Sequence, residues 1–150
     1  MKNFTQTFRV KAPIQAVADF HSSTNALKRL TPFPVVVRIH HLEPLAEGSI
    51  AIFTMWFGPF PVRWVAQHVQ VDLLNGFTDV QTAGPMLFWE HTHSFRVISD
   101  QETEVRDYIE YSHRPGLKHF WTRLLYAPLM LRFLFLYRSL VTRKAVNQFQ

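Results

Sequence analysis

The stretch Pro128-Leu129-Met130-Leu131-Arg132-Phe133-Leu134-Phe135-Leu136-Tyr137-Arg138, continued by Leu140, Val141, Arg143, Lys144 and Val146, decides the fold. Proline suits the first turn of a helix, where its missing N–H has no partner to lose. No Gly or Pro follows it, so a helix of about twenty residues, roughly 30 Å long, is expected from Pro128 onward. Its first three turns are apolar almost all the way round, which predicts burial on more than one side. Its end is basic, with Arg138, Arg143 and Lys144 placed to meet the negative end of the helix dipole. Such a helix needs a partner surface, and the preceding chain supplies one.

Upstream, Phe4, Gln6, Phe8 and Val10 alternate with Thr5, Thr7 and Arg9, the period of a half-buried strand. After Ala12-Pro13 the period changes. Ile14, Val17 and Phe20 mark one helical face, and Ala26-Leu27-Lys28-Arg29-Leu30 forms a second short helix stopped by Thr31-Pro32. Six strands follow, at 35–42, 49–57, 60–73, 77–82, 87–98 and 103–112. Each is bounded by turn residues such as Glu47-Gly48, Gly58-Pro59 and Asn75-Gly76, the last being the strongest hairpin dipeptide in the chain. Short turns pair each strand with its neighbour. The fold class is therefore α+β: a curved antiparallel sheet of about seven strands, two short helices after the first, and a long C-terminal helix over one face. A cavity is expected between helix and sheet.

The totals agree with one domain over residues 1–150. Hydrophobic residues make up 47% and aromatic residues 15%, with 14 Phe and 4 Trp, enough to fill a thick core or line an apolar pocket. The formal charge of +5 raises nucleic acid as a partner, but no basic stripe interleaved with exposed aromatics accompanies it, so no nucleic-acid contact is expected. The absence of cysteine excludes disulfides, thiolate catalysis and Cys-ligated metal. The N-terminus has no apolar signal region and 124–137 falls short of a membrane span, so a cytoplasmic protein is expected.

The wording of the chain resembles the START-like, or SRPBCC, superfamily. The residues carrying the likeness are Phe8-Arg9-Val10-Lys11-Ala12-Pro13, His21 leading to Ala26-Leu27-Lys28-Arg29-Leu30-Thr31-Pro32, Trp64-Val65-Ala66-Gln67-His68, Trp89-Glu90-His91-Thr92-His93-Ser94-Phe95, and the pair Tyr137-Arg138. They look closest to a bacterial branch found alone or fused to a nucleotide-sugar-epimerase-like domain. The resemblance implies a helix-grip fold around an apolar cavity, of the kind shared by polyketide cyclases, lipid-transfer domains and coenzyme-Q-binding proteins. It implies no particular reaction and no catalytic residues.

Strand periodicity supplies the candidate site. Trp89, His91, His93, Phe95 and Val97 share one face of their strand, opposite Glu90, Thr92, Ser94 and Arg96, and should point inward. Trp64, Ala66 and His68 do the same on theirs, with a break at Val69 and Val71 that suggests a bulge. On the last strand Val105, Asp107, Ile109 and Tyr111 form the apolar set, and a five-residue connection would place Asp107 opposite His93; one residue of slip reverses this. With Phe133 and Tyr137 from the helix, the expected ligand-binding set is Trp64, His68, Trp89, His91, His93, Phe95, Asp107, Tyr111, Phe133 and Tyr137. A pocket of about 300 Å³ or more, lined by Trp64, Trp89, Phe95 and the inner helix face, is the matching expectation.

Three chemistries stay open for the histidines: structural pairing with Asp107, polar contact with a ligand, and acid–base catalysis by a His–Asp pair. His91 and His93 with His68 could in principle ligate a metal, but no Glu or Cys completes a familiar spacing. Neither a metal nor a cofactor is expected. The reading favours binding of a small or medium hydrophobic ligand, lipid, quinone or polyketide-like, over enzymatic turnover. Its alternatives are a cyclase or dehydratase using the inward His and Asp, and an interaction domain beside an epimerase-like protein. The basic C-terminal helix adds peripheral membrane contact as a further expectation.

Overall fold

The computed structural model describes residues 1–146. The order of elements is β1 (Lys2–Val10), α1 (Ile14–Ser22), α2 (Ala26–Arg29), β2 (Val36–Leu42), β3 (Ile50–Phe57), β4 (Phe60–Asp72), β5 (Gly76–Ala83), β6 (Met86–Ser99), β7 (Glu102–His113), α3 (Phe120–Leu125) and α4 (Pro128–Val146). A 3-10 turn at Leu117–His119 leads into α3. The long helix starts at Pro128, as its first-turn chemistry requires.

The strands form one antiparallel sheet in the order β1-β7-β6-β5-β4-β3-β2. β2 to β7 follow one another as hairpins, while α1 and α2 carry the chain from β1 at one edge to β2 at the other. α4 lies against the concave face and buries Leu131, Phe135, Ser139, Thr142, Ala145 and Val146, a stripe at helical spacing. Its opposite side does not fulfil the expectation of burial all round. Leu129, Phe133, Leu136 and Leu140 are each more than half exposed, because one sheet can cover only one stripe of a helix.

The core divides into two clusters along α4. One gathers Phe8, Val17, Phe20, Phe77, Phe95 and Val105 under α1; the other gathers Trp64, Met86, Trp89, Ile109, Tyr111 and Phe135 under α3 and the start of α4. α4 is fastened to its surroundings by polar contacts as well. Arg138 Nε donates to the Leu30 carbonyl at 3.2 Å and the Tyr137 hydroxyl reaches the Arg29 carbonyl at 3.4 Å, satisfying acceptors left over at the end of α2.

Two irregularities near the β4–β5 turn set the register of everything that follows. The expected bulge is present: pairing shifts between Val69 and Asp72, with Gln70 at φ 53°. The Asp72 carboxylate accepts from the backbone N–H groups of Leu74 and Asn75, so the turn is longer than a two-residue Asn-Gly hairpin. Gly76 stands at its exit with φ 137°, and a Cβ there would overlap the His93 carbonyl oxygen. Gly76→Ala is expected to lower stability by about 2–3 kcal/mol, combining an unfavourable φ with overpacking against β6. Urea unfolding checks this; a loss below about 0.5 kcal/mol would show that β6 moves aside freely.

Candidate functional site

Register alone assembles a row of polar side chains across the concave face. His68 on β4 stands opposite Asp79 on β5, Asp79 opposite His91 on β6, and His93 opposite Asp107 on β7. Cross-strand partners share a face, so these groups meet in the seam between the two core clusters. Phe77 packs on the His93 ring with centroids 4.6 Å apart, and Phe135 of α4 meets His91 edge-on at 5.3 Å.

The distances describe a chain of contacts. His68 Nδ1 lies 2.9 Å from the Ser49 hydroxyl, and its Nε2 lies 3.1 Å from Asp79 Oδ1. Asp79 Oδ2 is 3.4 Å from His93 Nε2, and Asp107 Oδ1 is 2.9 Å from His93 Nδ1. The same Asp107 oxygen accepts a hydrogen bond from His91 Nε2 at 3.0 Å. The His93 Nδ1 contact is an ion pair lying off the N–H axis, and that nitrogen has no linear hydrogen bond.

Burial and charge divide the histidines. Burial alone would depress His93, but Asp107 and Asp79 bracket it and push it up to about 9, so it is an imidazolium at neutral pH. His91 is held down to about 4 by burial and by the charge on His93, despite its bond to Asp107. His21 on α1, whose ring lies 5.8 Å from that of His93, is likewise held down to about 4. Asp107 is buried and Asp79 half-buried, yet their histidine contacts keep both ionised far below the usual carboxylate range. His68 is raised, its Asp79 contacts outweighing its burial.

A cavity of about 190 Å³ opens onto this row. Its walls include Trp64, Trp89, Phe53, Phe77, Tyr126 and Phe135, and its polar side is His21, His68, Asp79, His91, His93 and Arg138. The exposed Ser22, Ser23 and Thr24 and the half-buried Glu43 form the mouth. The Tyr126 hydroxyl is buried at the cavity wall without a hydrogen-bond partner. His21 donates through Nδ1 to the Val17 carbonyl, and His91 donates through Nε2 to Asp107. In these neutral rings the other nitrogen is an acceptor.

Of the expected ligand-binding residues, Trp64, His68, Trp89, His91 and His93 line the cavity. The other five do not. Asp107 lies behind the histidines; Phe95 belongs to the α1 cluster, packed on His21; Tyr111 is buried beside Trp89. Phe133 is 60% exposed on the outer side of α4, and Tyr137 is spent on the end of α2. The cavity also falls short of the 300 Å³ expected, because large rings fill much of the space that they enclose.

Three lining residues escaped the sequence reading although each carried a signal. Asp79 alternates with Phe77 on β5, so an acid shares a face with a core phenylalanine. His21 follows Ile14 and Val17 at helical spacing. Arg138 follows Leu131 and Phe135 at i+7 and i+3, on the buried stripe and not at the solvated end. Asp79, His91 and His93 each bring a ligand-type atom within 4.8 Å of the other two. A divalent cation could draw that set together, a set that differs from the sequence-based trio of His68, His91 and His93 by Asp79 in place of His68. A proton on His93 already serves the Asp79 carboxylate of that set.

A curved antiparallel sheet closed over a long C-terminal helix, with a cavity between them, defines the helix-grip class of α+β proteins. The fold is the one implied by the chain's resemblance to START-like (SRPBCC) proteins. A structure from Chromobacterium violaceum superposes with a TM-score of 0.75 at 12% identity, covering 96% of each chain. The Zhui aromatase/cyclase of a Streptomyces species gives 0.68 at 14%, over 97% of this chain and 90% of that one. A nucleoside-diphosphate sugar epimerase of Corynebacterium glutamicum gives 0.68 at 26%, over 94% of this chain, which spans 28% of that longer protein. No family model and no curated protein matches the sequence.

Proposed function

We propose that the protein binds a small, uncharged ring compound carrying a hydroxyl or carbonyl group in the cavity between the sheet and α4. The observation that carries this reading is the Tyr126 hydroxyl, buried without a partner on a wall built of Trp64, Trp89 and Phe135. A buried polar atom without a partner is costly, and a ligand oxygen removes that cost. Size sets the class. A cavity of about 150 Å³ accepts benzene, so 190 Å³ suits one or two rings better than a lipid chain or a long polyketide.

Charge sets the polarity. Asp79 and Asp107 are matched by the His93 imidazolium and by the half-buried Arg138, whose charge acts on both carboxylates. The carboxylates already have their counter-charges, the raised His68 among them, and an ion entering the cavity would lose its hydration against walls that are mostly aromatic. The acceptor nitrogens of His21 and His91 suit a ligand hydroxyl.

The two pKa values also weigh binding against catalysis. Environments that push neighbouring groups apart are a mark of acid–base sites, and His91 and His93 stand with ring centroids 4.0 Å apart. That favours a cyclase or dehydratase as the second reading, with His93 as acid and His91 as base. His93 is nevertheless held between Asp79 and Asp107, and His91 is bonded to Asp107, so both rings are engaged with carboxylates of the sheet before any ligand enters. Binding without turnover is the better account. The likeness to part of an epimerase supports its use beside a nucleotide-sugar-epimerase-like protein.

The test is quenching of tryptophan fluorescence by 2-naphthol and by 2-naphthoate at pH 7. Saturable quenching by the naphthol is expected, with the anion binding at least tenfold more weakly. Tyr126→Phe should weaken the naphthol about fivefold, the loss of one hydrogen bond. Trp89→Ala should weaken it as well. Ala66→Phe, which fills the space, should abolish binding while the fold, followed by circular dichroism, persists. Equal or tighter binding of the anion, or no saturable quenching by either compound, would overturn the proposal.

A further inference from the structure

The outer side of α4 has no partner within the described chain, and its chemistry is one-sided. Leu129, Phe133, Leu136 and Leu140 follow one another at spacings of four, three and four residues, so they form one continuous stripe. They are 69%, 60%, 53% and 55% exposed. The segment before α4 adds Leu117, Phe120 and Leu124, all more than 60% exposed and again at helical spacing. A folded domain rarely leaves so much contiguous apolar surface in water without a use for it.

The charges around the stripe have a single sign. Residues 115–150 contain Lys118, Arg123, Arg132, Arg138, Arg143 and Lys144 and not one Asp or Glu. The basic excess of the chain is thus concentrated here. Arg138 is turned toward the cavity, whereas Lys118, Arg123, Arg132 and Lys144 are exposed.

We infer that this face docks on an anionic lipid bilayer, with α4 lying in the plane of the surface. The exposed leucines and phenylalanines would enter the acyl boundary and the cations would meet the headgroups. Charge decides against the other occupants. A second copy seated on the same face would bring cations against cations with no acid to compensate. No single helix among the described residues is long and apolar enough to cross a membrane; the pair Leu117–Leu125 and Pro128–Val146, bent by 44°, is so only by length and composition, and the inner side of α4 is committed to the core. The arrangement therefore describes a domain on a membrane and not through it. This inference does not depend on what occupies the cavity.

Flotation with vesicles tests it. The protein should float with phosphatidylcholine vesicles containing 30 mol% phosphatidylglycerol in 0.1 M NaCl. Binding should fall at least tenfold with phosphatidylcholine alone, and likewise in 0.5 M NaCl, where surface attraction is screened. Phe133→Ser with Leu136→Ser should reduce binding about tenfold or more, and each of Arg132→Gln and Lys144→Gln about fivefold. These side chains are exposed, so the melting temperature should stay within a few degrees of the parent. Three results would overturn the inference: no flotation with anionic vesicles, equal binding to neutral and anionic vesicles, or a micromolar dimer in sedimentation velocity that Phe133→Ser dissociates.

Discussion

Asp107→Asn lowers the unfolding free energy by about 3–5 kcal/mol in the outcome expected here, the range for removing one member of a buried ion pair. The carboxylate serves two rings at once, accepting from His91 Nε2 and facing His93 Nδ1. An amide of the same shape keeps the packing but removes the charge that, with Asp79, holds His93 protonated. Urea unfolding at pH 7 measures the loss, and histidine NMR titration reads its cause: the His93 pKa should fall from about 9 to its ordinary range or lower. A loss below about 1 kcal/mol, or an unmoved His93, would mean that Asp79 alone organises the seam. Were the second reading of the function correct, the same variant would lose turnover while keeping most of its affinity for ligand.

The pH dependence of stability should have a maximum near 6.5. His93 is raised above its ordinary 6.5, so its contribution is complete below that pH and fades as pH climbs through about 9. His68, also raised, adds to the same alkaline limb. His21 and His91 are buried neutral at about 4, so their contributions are complete above 6.5 and disappear as pH falls toward 4. The acid limb should therefore approach a slope of two protons. The alkaline limb should amount to on the order of 3 kcal/mol between pH 6.5 and 9. Denaturant midpoints at pH 5, 6.5 and 9 would show it. A profile that rises steadily from pH 5 to 9 would contradict the imidazolium at His93, and Asp107→Asn should flatten the alkaline side.

The architecture was readable because local signals agreed with one another. Pro128 fixed where the long helix begins, and turn residues between alternating segments fixed the antiparallel order. The inward faces of β4, β6 and β7 could be read from period two; placing Asp107 across from His93 needed a connection length as well, and the structure reaches that pairing with a two-residue turn and a bulge between Val97 and Ser99. The helix was harder. An apolar residue at every position of a turn does not say which stripe a sheet will cover, so nothing in the sequence separates Phe133, which is 60% exposed, from the buried Phe135. Arg138 shows the converse error: read as a cation at a solvated helix end, it lies on the buried stripe. Cavity volume was the least legible quantity, since it depends on how Trp64, Trp89 and Tyr126 pack against one another, and no spacing encodes that.

The order of the strands also bears on how the chain reaches this structure. β1 pairs with β7, so Phe4 waits for Ile109 and Phe8 for Val105 before the first strand has any neighbour. β2 lies at the far edge although it follows β1 after only two short helices. During synthesis the hairpins from β2 to β7 can form one after another, while the N-terminal strand stays unpaired until about a hundred residues have emerged. The concave face remains uncovered longer still, because α4 is made last. Closing contacts this distant in sequence makes for slow folding, in the millisecond-to-second range of sheet-dominated domains. Shortening the chain by α4 should accordingly leave an aggregation-prone sheet with its apolar face bare, and not a smaller stable domain.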